Sequence, residues 1–240
     1  MTRWTGVALA LLAVSASWGA ASASLIPVFQ IRTVSGVTFI EDADGSDQDF
    51  EHVEAPDFEP FDARAEAQVS RGIDSTHAVA RQQSTIGPSL VSWESTLDVS
   101  GSSSELGQIV EVFASSRLTL MFDLPRDGRW EIEASIEVSD GSFGLFLEDV
   151  DLGTTLFELQ VPPFGGEGSG SEQVATALDL PAGRYGLDLL LWTEIFPFVG
   201  ESAGHASASV RFAEVPEPGT LLLLGTGLLG IRSRIWRKSV

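Results

Sequence analysis

Four aspartates crowd one short run, Asp42, Asp44, Asp47 and Asp49, around Gly45. Carboxylate oxygens at this density could wrap a calcium ion, which takes six to eight oxygen ligands. The spacing departs from the twelve-residue calcium loop, whose glycine stands sixth, because Gly45 is fourth counted from Asp42. A solvated acidic loop is therefore the ordinary reading, and calcium is the alternative; no other cofactor is suggested. Aromatic side chains offer a second chemistry, since sugars dock on flat rings. Trp93, Trp192, Phe196 and Phe198 are the candidates, the last two flanking Pro197 in an apolar loop. Core packing is the simpler expectation for Trp93 and Trp130. The three histidines, His52, His77 and His205, stand in no nucleophile or metal motif and read as surface residues. The absence of cysteine removes thiol nucleophiles, thiolate zinc sites and iron–sulfur clusters. Paired carboxylates for glycan hydrolysis are so plentiful that they single out no pair. No enzyme activity is expected, and a glycan hydrolase remains the remote alternative.

Charge narrows the partners. All 34 acidic residues lie between Glu41 and Glu217, and the body of the chain between its two ends, Arg32 included, sets nine arginines against them, for a net charge of about −25. The remaining basic residues, Arg3, Arg232, Arg234, Arg237 and Lys238, sit at the two ends. Nucleic acid is not an expected partner, because phosphate binding requires a basic surface that releases counterions.

The elements that must position these groups read as strands. Arg129–Ser139 alternates Trp130, Ile132, Ala134, Ile136 and Val138 with Glu131, Glu133, Ser135, Glu137 and Ser139, the period of a half-buried antiparallel strand. Leu118, Leu120, Phe122 and Leu124 form an inward row just before it, and the turn Pro125–Gly128 predicts a hairpin between the two. Leu25–Ile40 reads as an entry strand and Asp57–Ala80 as a modest strand, carrying Ala65, Ala67 and Val69, in a weakly ordered region. Strands follow over Leu90–Val99, Ile109–Ala114, Phe143–Leu147 and Leu156–Val161. Val174, Thr176, Leu178 and Leu180 alternate again, Leu187–Thr193 is apolar on both faces as in a central strand, and Ala206, Ala208, Val210 and Phe212 belong to the last strand. Leu180-Pro181-Ala182-Gly183-Arg184-Tyr185 echoes Leu124-Pro125-Arg126-Asp127-Gly128-Arg129-Trp130, which predicts two equivalent hairpins in one sheet system. Such corners resemble those of jelly-roll sandwiches in carbohydrate-binding modules. The expected fold is all-β, an antiparallel jelly-roll-like sandwich over residues 24–214.

The ends carry addresses. Arg3, the apolar run Gly6–Val14 and Ala21-Ser22-Ala23 read as a secretory signal over residues 1–23, with the mature chain beginning at Ser24. At the other end Pro216-Glu217-Pro218 breaks regular structure. Then come Leu221, Leu222, Leu223 and Leu224, followed by Leu228 and Leu229. Arg232, Arg234, Arg237 and Lys238 close the chain as a basic stop. The uncharged stretch Gly219–Ile231 is shorter than the roughly 20 residues of a full span, and Ile235 and Trp236 lengthen it with the arginines snorkelling. A single membrane helix is expected.

Residues 215–240 resemble the PEP-CTERM sorting signal of Gram-negative bacteria. The resemblance implies an exosortase-type membrane protease as partner, with Pro216, Glu217 and Pro218 as its recognition motif. It implies export by the Sec machinery, a transient anchor in the inner membrane, and release to the cell surface or extracellular space. It also implies a link with exopolysaccharide and biofilm. The resulting expectation is a non-enzymatic surface or matrix protein. The alternative is a calcium-dependent carbohydrate-binding or adhesion module, with Phe196 and Phe198 as candidate ligand contacts and Asp42, Asp44, Asp47 and Asp49 as candidate metal ligands.

Overall fold

The structure is a computed structural model, and it describes residues 24–104, 108–162, 169–195 and 200–215. Twelve strands run through them: β1 Ile26–Asp42, β2 Gly45–Glu54, β3 Phe61–Arg71, β4 Asp74–Ile86, β5 Leu90–Ser103, β6 Ile109–Leu124, β7 Gly128–Ser139, β8 Gly141–Asp149, β9 Thr154–Val161, β10 Gly170–Leu180, β11 Gly183–Ile195 and β12 Gly200–Val215. Among the described residues there is no helix. The expected signal peptide and membrane helix lie outside them.

The strands form two six-stranded sheets, ordered β2-β1-β6-β11-β8-β9 and β10-β7-β12-β5-β4-β3, antiparallel at each pairing. From β5 onward the chain passes from one sheet to the other at every connection except the β8–β9 hairpin. The orders β6-β11-β8-β9 and β10-β7-β12-β5 that result are those of an eight-stranded jelly roll. The first four strands enlarge this body at one side. β1 and β2 extend the first sheet beyond β6, and β4 and β3 extend the second beyond β5.

Alternation fixes the interior. Trp130, Ile132, Ile136 and Val138 of β7 and Leu118, Leu120, Phe122 and Leu124 of β6 all turn into the one core between the sheets, and all of them are buried. Phe212 stacks on Trp130 with ring centroids 4.6 Å apart and meets Phe122 at 5.9 Å. Phe122 in turn lies against Tyr185 at 5.7 Å. Offset contacts of this kind add to the area that the rings bury.

The structure corrects three expectations. First, the two Pro-Gly corners are not hairpins. β6 and β7 lie in different sheets, as do β10 and β11, so each corner carries the chain across the sandwich. The corners instead neighbour each other: Leu124 pairs with Gly183 and Leu180 with Gly128, and the Ala182 amide donates to Asp127 Oδ1 at 2.8 Å. The buried Tyr185 hydroxyl donates back to the Pro181 carbonyl at 2.7 Å, closing the second corner. Second, the acidic run is not a loop; only Ala43 and Asp44 turn, and Asp47 and Asp49 belong to β2. Third, residues 57–80 hold two regular strands, the whole of β3, paired along its length with β4, and the first half of β4, which lies between β3 and β5. Their inward side chains are small: Ala65, Ala67, Ala78 and Ala80 are buried. They admit a close approach of the sheets at Gly36, where an added Cβ would stand 3.3 Å from the Ala78 carbonyl oxygen. Alanine contributes little to a hydrophobic signal read along a sequence, although it packs tightly.

Candidate functional site

The acidic hairpin comes first. β2 is the outer strand of the first sheet and β3 that of the second, so two unpaired edges lie side by side. The aspartates serve this junction. Arg71, at the end of β3, donates through Nε to Asp42 Oδ2 at 2.6 Å and through Nη1 to Asp47 Oδ2 at 3.1 Å. The Asp44 amide donates to Asp42 Oδ1 at 2.8 Å. That amide and the Arg71 pair hold the Asp42 carboxyl below its ordinary range. Asp49 Oδ2 accepts the Gln68 amide at 2.9 Å, and Glu51 Oε2 accepts the Glu66 amide at 2.6 Å. The guanidinium of Arg71 thus stands where a cation shared by Asp42 and Asp47 would stand. Among the described residues no group of three or more His, Asp or Glu side chains is arranged to hold a metal ion.

Arg32 on β1 went unnoticed in the sequence. It is fully inaccessible, and its guanidinium donates to the carbonyls of Glu59 at 2.8 Å, of Asp57, and of Ser84 at 3.4 Å, while Nε donates to Gln30 Oε1 at 2.8 Å. It also lies 5.4 Å from the Phe61 ring centroid. Burial lowers its pKa, opposed by the charge of Asp57. These contacts tie the 55–60 connection, which passes from β2 to β3, to both sheets.

The outward faces of the two sheets differ in chemistry. The second sheet presents Ser92, Glu94, Thr96 and Asp98 on β5, Glu131, Glu133 and Glu137 on β7, and Ser207, Ser209 and Arg211 on β12. The first sheet presents Val37 and Phe39 on β1, Phe113 on β6, Leu190 and Trp192 on β11 and Phe146 on β8, all half-buried. Register gathers them: Val37 is opposite Phe113, Leu190 opposite Gly144, and Trp192 lies between Ser115 and Ser142. Phe113 and Trp192 sit with ring centroids 6.5 Å apart and planes inclined by 31°. Beside them Arg117 holds Asp188 in a two-pronged pair, 3.1 Å at each contact, and the Thr119 hydroxyl donates to the same carboxylate at 2.6 Å. The face therefore combines flat apolar rings with fixed polar groups, an arrangement able to seat the ring faces and hydroxyls of a sugar.

Of the aromatic candidates, Trp93 and Trp130 are in the core, as expected, and Trp192 is on this face. Its companions Phe113, Val37, Phe39 and Phe146 were missed; the available signal was apolar residues at both parities of β6, β8 and β11. Phe196 and Phe198 lie outside the described residues, as do Pro216, Glu217, Pro218, the leucines from Leu221 to Leu229, and the basic stop. The histidines occupy exposed or half-exposed positions. His52 Nδ1 is 2.7 Å from Ser35 Oγ, His77 Nε2 is 2.9 Å from Glu66 Oε1, and His205 Nδ1 is 2.8 Å from Asp98 Oδ1.

Comparison with known proteins finds one family model that matches a short stretch of the chain. Residues 214–238 match the family model described as the PEP-CTERM protein-sorting motif. No curated protein matches the chain. Among solved structures, the chain is similar to a carbohydrate-binding module from Cellvibrio mixtus lichenase 5A in complex with cellotriose. There the identity is 14%, the match covers 57% of this chain and 88% of the module, and the TM-score is 0.23. For the C-terminal module of the laminarinase LamC from Zobellia galactanivorans, the identity is 23%, with 49% and 98% covered and a TM-score of 0.22. For the infectious bursal disease virus VP2 subviral particle, the identity is 11%, with 79% and 57% covered and a TM-score of 0.24.

Proposed function

We propose that this chain, which carries a PEP-CTERM sorting motif over residues 214–238, is an exported, non-enzymatic protein of the cell surface or extracellular matrix, associated with exopolysaccharide. Sec export brings it through the inner membrane, the apolar segment after Gly219 holds it there, and an exosortase-type protease releases it near Pro216-Glu217-Pro218. The observation that carries this reading is the position of the motif. β12 stays paired up to Val215, opposite Arg129, and the proline pair begins at the next residue of the sequence. Proline fixes its own φ and restrains the residue before it, which keeps Glu217 extended for a protease.

Replacing Pro216, Glu217 and Pro218 by alanine leaves insertion intact, and the precursor accumulates in the inner membrane with its tail attached. Immunoblotting of membrane and medium fractions with a tail-specific tag measures this. Release of the variant at the wild-type rate would reduce the motif to a linker.

A second reading, carbohydrate binding, is favoured by the Phe113–Trp192 face. Trp192→Ala then lowers retention on a glycan array at least tenfold without changing the far-UV circular dichroism spectrum, whereas equal retention would remove the face from consideration. A calcium-dependent form of this reading requires Arg71 to release Asp42 and Asp47, and a chelator control on the same array tests it.

A further inference from the structure

We infer that the end of the sandwich at which β12 finishes is a membrane-facing surface that rests on the lipid interface while the precursor is anchored. The inference builds on the reading of the segment after Gly219 as a membrane anchor.

Register identifies what shares that end. Val215 is opposite Arg129 at the start of β7, and Ala213 is opposite Leu90 at the start of β5. In the other sheet Ile26 is opposite Asp123, Arg184 is opposite Asp123, and Tyr185 is opposite Asp149, so the start of β1 and the β8–β9 turn lie at the same end. The Val150 amide donates to the Arg184 carbonyl, fixing that turn to the start of β11. Among the described residues ten large apolar side chains are exposed, and six of them, Ile26, Val28, Phe29, Val150, Leu152 and Leu156, belong to this end. Leu152, at the tip of the β8–β9 turn, is 74% exposed. Such side chains have no intramolecular reason to gather on the rim of an acidic exported domain, and a bilayer interface would cover them.

The chain enters here as well. Leu25 is buried and its amide donates to the Pro88 carbonyl at 2.6 Å. The segment that precedes Ser24, read as the secretory signal, therefore leaves from the same rim as the tail.

Length makes the orientation restrictive. Five residues, Pro216 to Thr220, separate β12 from Leu221, a reach of about 20 Å when fully extended. β1, with 17 residues, is about 55 Å long. An inserted tail can bring the near rim to the lipid, while the far end, with Ile73 and Ile109, stays out of reach if the sandwich stands upright. A second copy is the less favourable occupant, because two bodies of this net negative charge repel each other.

The absence of cysteine permits a clean test. Full-length chains carrying Val28→Cys, Leu152→Cys, Phe113→Cys or Ile73→Cys are labelled with bimane and reconstituted in phosphatidylcholine vesicles containing a doxyl-labelled lipid. Quenching at positions 28 and 152 at least fivefold greater than at 73 and 113 is the expected result. Equal quenching at 152 and 73 overturns the inference, and quenching concentrated at 113 replaces the rim by the aromatic face. Shielding of 152 from aqueous iodide without lipid quenching assigns the rim to a second copy, and also overturns it. Release of the full chain by alkaline carbonate is a different failure: it removes the anchor, and the inference with it.

Discussion

Arg32 shows how much one side chain can organise. Its charge is out of water, and the oxygens around it are mainly backbone carbonyls. Hydrogen bonds to a charged donor are stronger than neutral ones, and removing the donor leaves buried acceptors unsatisfied. Arg32→Met is expected to lower the unfolding free energy by about 3 kcal/mol in urea titrations; a loss below about 1 kcal/mol would mean that water replaces the guanidinium. Arg71 makes a different prediction, about pH. The Asp42 carboxyl is held low by the Asp44 amide and by Arg71. A carboxylate whose folded pKa lies below its unfolded value adds stability above the ordinary carboxylate range, near 4, and loses it as the pH falls through the folded value. The thermal midpoint of Arg71→Ala should therefore fall below that of wild type above about pH 5, with the gap closing below about pH 3. The comparison cancels the relief of overall negative charge that acid also brings, and a gap independent of pH would contradict the assignment.

At the scale of elements, β2 is the least conventional strand. Eight of its ten positions read Gly-Ser-Asp-Gln-Asp-Phe-Glu-His, and all of these are exposed. It pairs with β1 alone, from Asp42–Gly45 to Thr33–Glu54. Its acidic side chains reach across the junction to the amides of β3, so an otherwise open edge is covered without a further strand. An uncovered edge invites pairing with another chain, and charge on the edge discourages it. The double variant Asp49→Ala, Glu51→Ala should raise amide hydrogen exchange at Glu66 and Gln68 about tenfold, a loss of about one hydrogen bond's net contribution. It should leave exchange in β11 unchanged. Unaltered exchange at Glu66 and Gln68 would show that the contacts are not maintained in solution.

At the scale of the whole molecule, the described residues form one sandwich, although its topology separates into a jelly roll and a four-strand enlargement. β1 pairs with β6 over almost its whole length, and β4 pairs with β5 from Ser75–Ser102 to Ile86–Val91. Both sheets are therefore shared between the two parts, and a core from Val34 and Ala65 through to Phe212 is continuous. Calorimetry should give a single endotherm whose van't Hoff and calorimetric enthalpies agree. Two resolved endotherms would mean that β1–β4 melt separately. Disulfides take no part, since the chain has no cysteine, and reductant should leave the transition where it is.

Period-two alternation determined which residues of β7 and of the Leu118–Leu124 row of β6 face inward, and from that the all-β class. The order of prolines, leucines and arginines at the C-terminus carried the sorting motif by composition alone. Both signals are local, read from neighbours along the chain. What the tertiary structure decided depends on partners distant in sequence. Trp130 and Phe122 face the core whether their strands form a flat hairpin or cross between sheets, so alternation could not tell a hairpin from a corner. Asp42 and Asp47 look like cation ligands until β3 brings Arg71 between them from 24 or more residues away. Phe113 is an ordinary strand residue until register sets it beside Trp192. The gathering of the first and last described residues, Ser24 and Val215, and of six exposed apolar side chains at one rim follows from strand order, which no local pattern encodes.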